Sequence, residues 1–537
     1  MHNNVKYREV VAHLLVLQLI VSCFIPPFID VFDSLLKSKI YACCFSSILI
    51  GGIYCLCPSF FISLFRLDEK EYVLVVMSRV ASFIVIVESI YAFVKYFLRP
   101  INIGQVCGSF DNYNALSVNI CLLLPFCIMI FMLKRNAAWS KLLSLSAILC
   151  SIYVVIYVGS RTACVLLLLL LLTLITRFTG IIRMFLLTGI VGLSMVFSYY
   201  MDAKKNSLEG RRCVYECTLE LIKQKPFFGY GINSFKKTYM LKQAEFLHRK
   251  KDCKYAMLAD DMGHPLSEVL LITLDFGLIG LVIYFFLFVL VQWFLFRMND
   301  VFSFVLLLSS LLVLMSSLVF YTYKYPLPYL LCFLSLYRVI ASSWGGGIKV
   351  QVVCRKIIFV FLLLLGTLVF RALYYDRAWY AAFLKSLNGN MAESLLEYEK
   401  IRDYYKCNPY YIYNYASTLF YAGDLGKAQE YGLQCFKIWP SYYTALLLGD
   451  VLYRCRDYGH AMSYYMLSHR MCPNRLVPLK CMMDVYIEMK EFNRADSVAT
   501  TIIEKRIKIS NVHAYEIKQE AYRYKERVKM AVCDGSR

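Results

Sequence analysis

Apolar runs of about 20 residues, the length a helix needs to cross a bilayer, recur through this chain and rule out a water-soluble fold for most of it. They lie at 10–24, 41–57, 72–94, 114–133, 142–158, 163–175, 181–199, 266–296, 301–321, 327–340 and 357–370. The expectation is an integral membrane protein, an all-α polytopic bundle of about eleven spans within residues 1–373. Composition agrees: 59% of the side chains are hydrophobic and 18% charged, against about 25% charged in a soluble domain. Lys6 and Arg8 precede the first run and no small-residue cleavage site follows it, so it reads as a retained anchor.

Lys and Arg in short loops favour the cytoplasm. With the N-terminus inside, alternate loops carry Lys134, Arg135 and Lys141, then Arg177 and Arg183, then Arg297, then Lys349, Arg355 and Lys356. That orientation puts 98–113, 159–162, the long loop 200–265 and the C-terminal tail outside the cytoplasm. The loop is itself basic, but loops of about 60 residues translocate with little regard to charge. Its charge has two readings, contact with anionic lipid headgroups or an anionic substrate at the membrane face.

About half of the 21 cysteines sit in spans, where a thiol behaves as a small hydrophobe, and none has metal-site spacing. Cys213, Cys217 and Cys253 fall in the loop. In an oxidising compartment a bridge to Cys253 is favoured over one between Cys213 and Cys217, which stand one helical turn apart.

From Tyr374 the chain turns polar and Tyr-rich, which marks a second domain at 374–537. A repeat of about 34 residues runs through it. When Ala428, Ala461 and Ala495 are superimposed, Asp424, Asp457 and Glu491 fall four residues ahead, and Ala416, Gly449 and Met483 twelve ahead. Each unit reads as two helices, 410–421 with 426–438, 442–454 with 458–471, and 477–489 with 493–504; 390–404 reads as a degenerate first unit. The pattern resembles the tetratricopeptide repeat, in which the small residue lets paired helices approach and Pro440 or Pro473 ends a unit. Such an array offers a concave surface to a protein partner or serves as a rigid lid or spacer.

Within the loop, Val214, Cys217, Thr218 and Leu221 recur at helical spacing, so 212–224 is expected to be an amphipathic helix on the membrane surface, stopped by Pro226. Arg211 then stands at its N-terminal end, where a guanidinium and free backbone N–H groups together suit a phosphate; an arginine paired with lipid is the other reading. Gly229-Tyr230-Gly231 supplies a turn at positive φ or a close approach to a ligand. His264 heads the apolar run that contains Gly277-Leu278-Ile279-Gly280-Leu281.

Taken in order, Arg211, Tyr215, Pro226, Gly229, Gly231, Phe235, His264 and Gly277 to Leu281 resemble the O-antigen ligase and polymerase family, which includes bacterial protein O-oligosaccharyltransferases. There an external loop reads R-x3-W, then P-x2-G-x-G-x3-F, and a histidine heads a span ending in G-L-[IL]-G-L; Tyr215 stands here for the usual Trp. Gly159-Ser160-Arg161-Thr162-Ala163 and Gly108-Ser109-Phe110-Asp111-Asn112-Tyr113-Asn114 are similar to two further segments of the family. The likeness covers roughly residues 70–340. Pro265 departs from the Asn that commonly follows the histidine, and Glu268, one turn on, is a substitute for orienting the acceptor.

The resemblance implies a GT-C-like fold and a multi-pass glycosyltransferase of the bacterial inner membrane. Such an enzyme moves a glycan from undecaprenyl diphosphate to an acceptor hydroxyl on the periplasmic face, where the acceptor is lipid A core, a growing glycan or a protein. In that role Arg161 and Arg211, aided by Arg212, grip the diphosphate, because a guanidinium is always charged and offers paired donors. His264 takes the hydroxyl proton, a task for which a side chain that titrates near neutrality is suited. Gly229, Gly231, Asn112 and Asn114 are expected to contact substrate. No cofactor, metal or nucleic-acid partner is expected, since arginines supply the positive charge that a divalent ion supplies elsewhere.

The alternative is a polytopic transporter or receptor with an interaction domain. Transporters bury ionisable residues near mid-membrane; here the spans hold Arg79 and Glu88, read as a buried pair, together with Asp275 and Arg338. Asp275 carries that alternative. The acidic pair Asp260-Asp261 near His264 reads as solvated or as a cation ligand.

Overall fold

A computed structural model describes residues 29–56, 70–98, 106–133, 137–175, 205–250, 253–343, 348–508 and 512–535, with parts of 23–27 and 187–195. Every regular element among the described residues is a helix. Five of these helices are long and apolar enough to cross a membrane: Leu74–Phe97, Tyr113–Met132, Ala138–Val158, Glu268–Arg297 and Phe359–Leu387. Three shorter apolar helices, Arg161–Ile175, Val301–Ser317 and Pro326–Ile340, occupy further expected spans, and the run 41–57 falls on the helix Ser34–Leu56. The runs 10–24 and 181–199 lie for the most part outside the described residues.

The chain forms two compact units, Met1–Lys204 with Val282–Arg377, and Lys205–Leu281 with Ala378–Arg537. In the first, the helix Tyr113–Met129 is buried on nearly every side, as a helix apolar all round over most of its length must be at the middle of a bundle. The helices Lys70–Phe97, Ala138–Val158, Arg161–Ile175 and Val301–Ser317 pack against it. Small hydroxyls let helices approach closely and bond across: Ser82 and Ser144 meet at 2.9 Å and the Ser78 hydroxyl donates to the Cys127 carbonyl at 3.4 Å.

The expected Arg79–Glu88 pair does not form. Nine residues of helix separate them, which puts the two side chains on opposite faces. Arg79 donates to the Ser140 hydroxyl at 2.8 Å and lies over the Trp139 ring. Glu88 accepts from the Ser109 amide at 2.6 Å. Arg338 donates to Asp300 at 2.9 Å.

In the second unit the tail helices fall where the repeat places them. Pro409–Ala422 pairs with Leu425–Ile438, Tyr442–Arg454 with Tyr458–Met471, and Val477–Glu488 with Phe492–Glu504; Val512–Gly535 covers the last pair. The superimposed alanines explain the period: Ala428, Ala461 and Ala495 are fully buried where the paired helices touch. Asp424 and Asp457 cap the second helices by accepting from the amides of Lys427 and His460, a bond worth about 1 kcal/mol. At Gly449 a Cβ would stand 2.4 Å from the Tyr465 ring, so only glycine admits that tyrosine.

Tyr465 donates its hydroxyl to Asp450 at 2.8 Å, yet burial pushes this carboxyl from its ordinary 3.8 up to about 6. A carboxyl that binds its proton more tightly when folded loses stability as pH rises through that interval, and the cost persists above it. Asp450→Asn therefore raises the thermal midpoint over wild type at pH 7.5, by roughly a few degrees, and the gain shrinks at pH 4; melts followed by circular dichroism at both pH values check this.

Candidate functional site

The loop helix runs over Lys205–Gln224 and so begins seven residues earlier than the spacing predicts. Its first turns hold because Glu209 pairs with Lys254 at 3.2 Å and because Gly210 lets the helix lie close to Leu258. Arg211 is therefore inside the helix, with its backbone amide in the ladder, and the expected free N–H groups at its position are not there. The half-buried Tyr215 stands one turn on; burial pushes its phenol up, against the opposing charge of Arg211.

Val214, Cys217, Thr218 and Leu221 do form the buried face, but protein covers it and not the membrane surface. They pack with Phe235, Tyr239, Met240 and Leu247 of the helix Ser234–Lys250, with Tyr255, Ala259 and Leu274, and with Tyr442, Met471 and Cys472 of the tail. Much of the loop's positive charge is likewise matched internally. Glu216 accepts from Arg212 at 3.1 Å and Lys250 at 2.6 Å, and Glu220 from Arg249 at 2.6 Å and Lys242 at 3.2 Å. The Lys250 hydrogen bond holds the Glu216 carboxyl below its ordinary range, and that of Arg249 does the same for Glu220. Cys213 and Cys217 are buried thiols outside any disulfide; the Cys253 side chain lies outside the described residues.

The glycine turn has a partner that the sequence does not announce. The helix Glu268–Arg297 breaks at Gly277, whose φ of 70 and ψ of −170 interrupt the ladder. The turn supplies the bonds that the break removes: Tyr230 N–H donates to the Leu274 carbonyl and Gly231 N–H to that of Asp275, each at 2.9 Å. In return Leu278 N–H donates to the Pro226 carbonyl at 2.8 Å and Ile279 N–H to that of Phe227 at 3.4 Å. The backbones are so close that a Cβ at Gly229 would meet the Leu274 carbonyl oxygen at 2.5 Å, and one at Gly277 the Phe227 oxygen at 2.0 Å. Gly231 has open space but a φ of +91, which glycine adopts without strain.

Asp275 completes this joint. Its carboxylate accepts from the amides of Asn233 and Ser234 at 3.2 and 3.1 Å and from the Ser234 hydroxyl at 2.6 Å. Those amides open the helix Ser234–Lys250, so Asp275 acts as its N-terminal cap, supplied from a distant segment.

His264 precedes the same broken helix. Its Nδ1 accepts from the Leu266 amide at 2.9 Å, which leaves the proton of the neutral ring on Nε2, and Nε2 faces Glu268 at 3.6 Å. Glu268 is buried in the first turn of the helix, where the dipole favours an anion. Leu266 takes a left-handed φ of 60 to close this turn. Of the acidic pair upstream, Asp260 accepts from Arg475 at 2.6 Å and is not merely solvated. Burial pushes Asp261 up to about 6, and its Oδ1 has no hydrogen-bond partner among the described residues. Among the described residues no group of His, Cys, Asp and Glu is arranged to hold a metal ion.

In the membrane unit, Asn112 caps the helix Tyr113–Met129 by accepting from the Ala115 amide at 2.8 Å, and its Nδ2 donates to the Tyr321 hydroxyl at 2.7 Å. Lys324 holds the adjacent Asp111 at 2.6 Å, with the Tyr325 hydroxyl on the same carboxylate. Asn114 lies half-buried in the first turn of that helix. Arg161 opens the helix Arg161–Ile175, directly after Gly159 turns the chain at φ 64. Among the sequence candidates, the structure thus joins His264 to Glu268, sets Arg211 beside Tyr215, pairs Arg212 with Glu216, and locks Gly229 and Gly231 onto Leu274 and Asp275.

Residues 116–285 match the model of the O-Antigen ligase family. The matched stretch includes Arg161, Arg211, His264 and the broken helix as far as Phe285, and it supports a membrane protein that acts in glycan transfer. No curated protein is significantly similar to the chain.

Three outcomes follow from the joint and the thiols. Gly277→Ala destabilises the second unit by roughly 2–4 kcal/mol, the sum of backbone strain and overpacking, and Asp275→Ala by about 2 kcal/mol through the uncapped amides; denaturant unfolding in detergent reads both. Cys213 and Cys217 resist a maleimide until the protein unfolds, whereas the exposed Cys407 and Cys455 react at once, as peptide mass mapping shows.

Proposed function

We propose that this protein is a glycosyltransferase of the O-antigen ligase type in a bacterial inner membrane, with its loop and tail in the periplasm. It moves a glycan from undecaprenyl diphosphate to an acceptor hydroxyl. The observation that carries this reading is the His264–Glu268 pair, a carboxylate and an imidazole set one turn apart inside the matched stretch. In the transfer step the bond from the sugar's anomeric carbon to the phosphate oxygen breaks, and the diphosphate leaves with the electron pair. The acceptor oxygen bonds to that carbon, and its proton passes to Nδ1 of His264 as that nitrogen gives up the Leu266 amide, while the Glu268 carboxylate on the Nε2 side balances the charge the imidazole gains.

Arg211 meets the negative charge that grows on the leaving group, a contact stronger in the transition state than in the ground state. The resemblance adds Arg161 of the membrane unit to the phosphate contacts. Arg212, already paired with Glu216, has at most a supporting part. The transporter reading loses its motivation, because the Asp275 carboxylate is committed to capping a helix. The tetratricopeptide-like tail inclines the acceptor toward a large molecule such as a protein.

Transfer from a lipid-linked glycan by the purified protein tests the assignment. His264→Ala and Arg211→Ala, each folded, lower kcat by about 100-fold or more, and Glu268→Gln lowers it comparably; full activity in both of the first two sinks it. A membrane-impermeant maleimide added to intact spheroplasts labels Cys407 and Cys455 if the tail faces the periplasm and spares them if it does not. Glycan profiling of a deletion strain separates ligase, polymerase and protein-glycosylating outcomes.

A further inference from the structure

The backbone between the short helix Cys253–Leu258 and His264 belongs to no regular element beyond Leu258, so its carbonyls need partners from elsewhere. Those of 257–259 find them in the tail. Asn474 Nδ2 donates to the carbonyls of Met257 at 3.0 Å and Ala259 at 2.7 Å. Lys508 donates to the Leu258 carbonyl at 3.2 Å. The Asp260 carbonyl accepts from Gln243 at 3.0 Å, and Gln243 is itself fixed by a 2.7 Å bond to the Met471 carbonyl of the tail. Arg475 holds the Asp260 carboxylate at 2.6 Å while stacked over the Tyr442 ring. Four successive carbonyls and one carboxylate are thereby tied, directly or through one side chain, to the turn after the helix Tyr458–Met471 and to Lys508.

Three residues after Asp261 comes His264, in a turn that depends on the left-handed Leu266 and brings Nε2 within 3.6 Å of Glu268. Nothing in the sequence of 257–263 would fix its backbone alone: Gly263 stands before the histidine, and Asp260 and Asp261 are adjacent like charges. We infer that the C-terminal helical array is a positioning element of the transfer site, with Asn474 and Arg475 holding the segment that presents His264 to Glu268. The tail is then part of the enzyme's working unit in every turnover, and not only an arm for recruiting a partner. This rests on the reading of His264 and Glu268 as the proton-accepting pair.

The test uses the full chain in detergent or nanodiscs, with Asn474→Ala, Arg475→Ala, Arg475→Lys and the Asn474→Ala/Arg475→Ala double variant. Hydrogen exchange is expected to quicken at least tenfold in 257–268 of the double variant, with the amides of Pro409–Ala422 unchanged. In the transfer assay kcat falls roughly 10- to 100-fold, KM for the lipid-linked donor stays within about twofold, and Arg475→Lys recovers part of the loss. The pH–rate profile also shifts along the pH axis, whereas a smaller folded fraction would only lower it. If the double variant does not fold, Asn474→Ala, which leaves the ion pair and the shared core intact, is read in its place. Unchanged exchange at 257–268, or quickened exchange with kcat and pH profile intact, overturns the inference. Full activity of His264→Ala defeats the base assignment instead, and the exchange result still shows whether the tail holds the segment.

Discussion

The joint between the glycine turn and the break at Gly277 is the constraint on which the second unit depends. A helix that breaks leaves amides and carbonyls without their partners four residues away, and in or near a bilayer no water is at hand to take their place. The turn 226–231 supplies those partners bond for bond, from the amides of Tyr230 and Gly231 and the carbonyls of Pro226 and Phe227. Because the two backbones touch, side chains are excluded at Gly229 and Gly277, and the Asp275 carboxylate that emerges beside them opens the next helix. One defect in one helix thereby sets the course of the loop that follows Arg211 and of the segment that precedes His264.

A second consequence is that charge and apolarity in this loop work mainly inward. Cations that look from the sequence like a surface for lipid or substrate are distributed over Glu209, Glu216, Glu220 and Glu245, and the apolar stripe meets other helices. Part of the loop's positive charge thus holds its own helices together, a more selective arrangement than a broadly basic patch.

How much of this was legible depended on whether the determining partner was near in sequence. Spans, tail helices and the small residues at their contacts follow from periodicity, since a helix face is set by neighbours three and four positions away. The order of Arg211, the glycines and His264 was visible too. The early start of the loop helix was not, because it rests on Lys254 and Leu258; nor was the pairing of Arg79, which is decided by Ser140 and Trp139 of another helix. Asp275 misled for the same reason. A carboxylate in an apolar run signals transport only until its hydrogen-bond partners, here forty residues earlier at Asn233 and Ser234, are known. Asp260 likewise reads as solvated until Arg475 is in view.

The shared core of loop and tail bears on the order in which a copy of this protein can mature. Residues 205–281 are synthesised well before the tail that covers their apolar face with Tyr442, Met471 and Cys472. Until the last helices have been made and moved to the same side of the membrane, that face is only partly covered and the carbonyls of 257–259 lack their tail donors. A ribosome-bound or truncated chain thus carries the matched stretch 116–285 and still lacks the tail side chains that bond to 257–259. Synthesis of the tail helices thus acts as a late step in the assembly of the second unit.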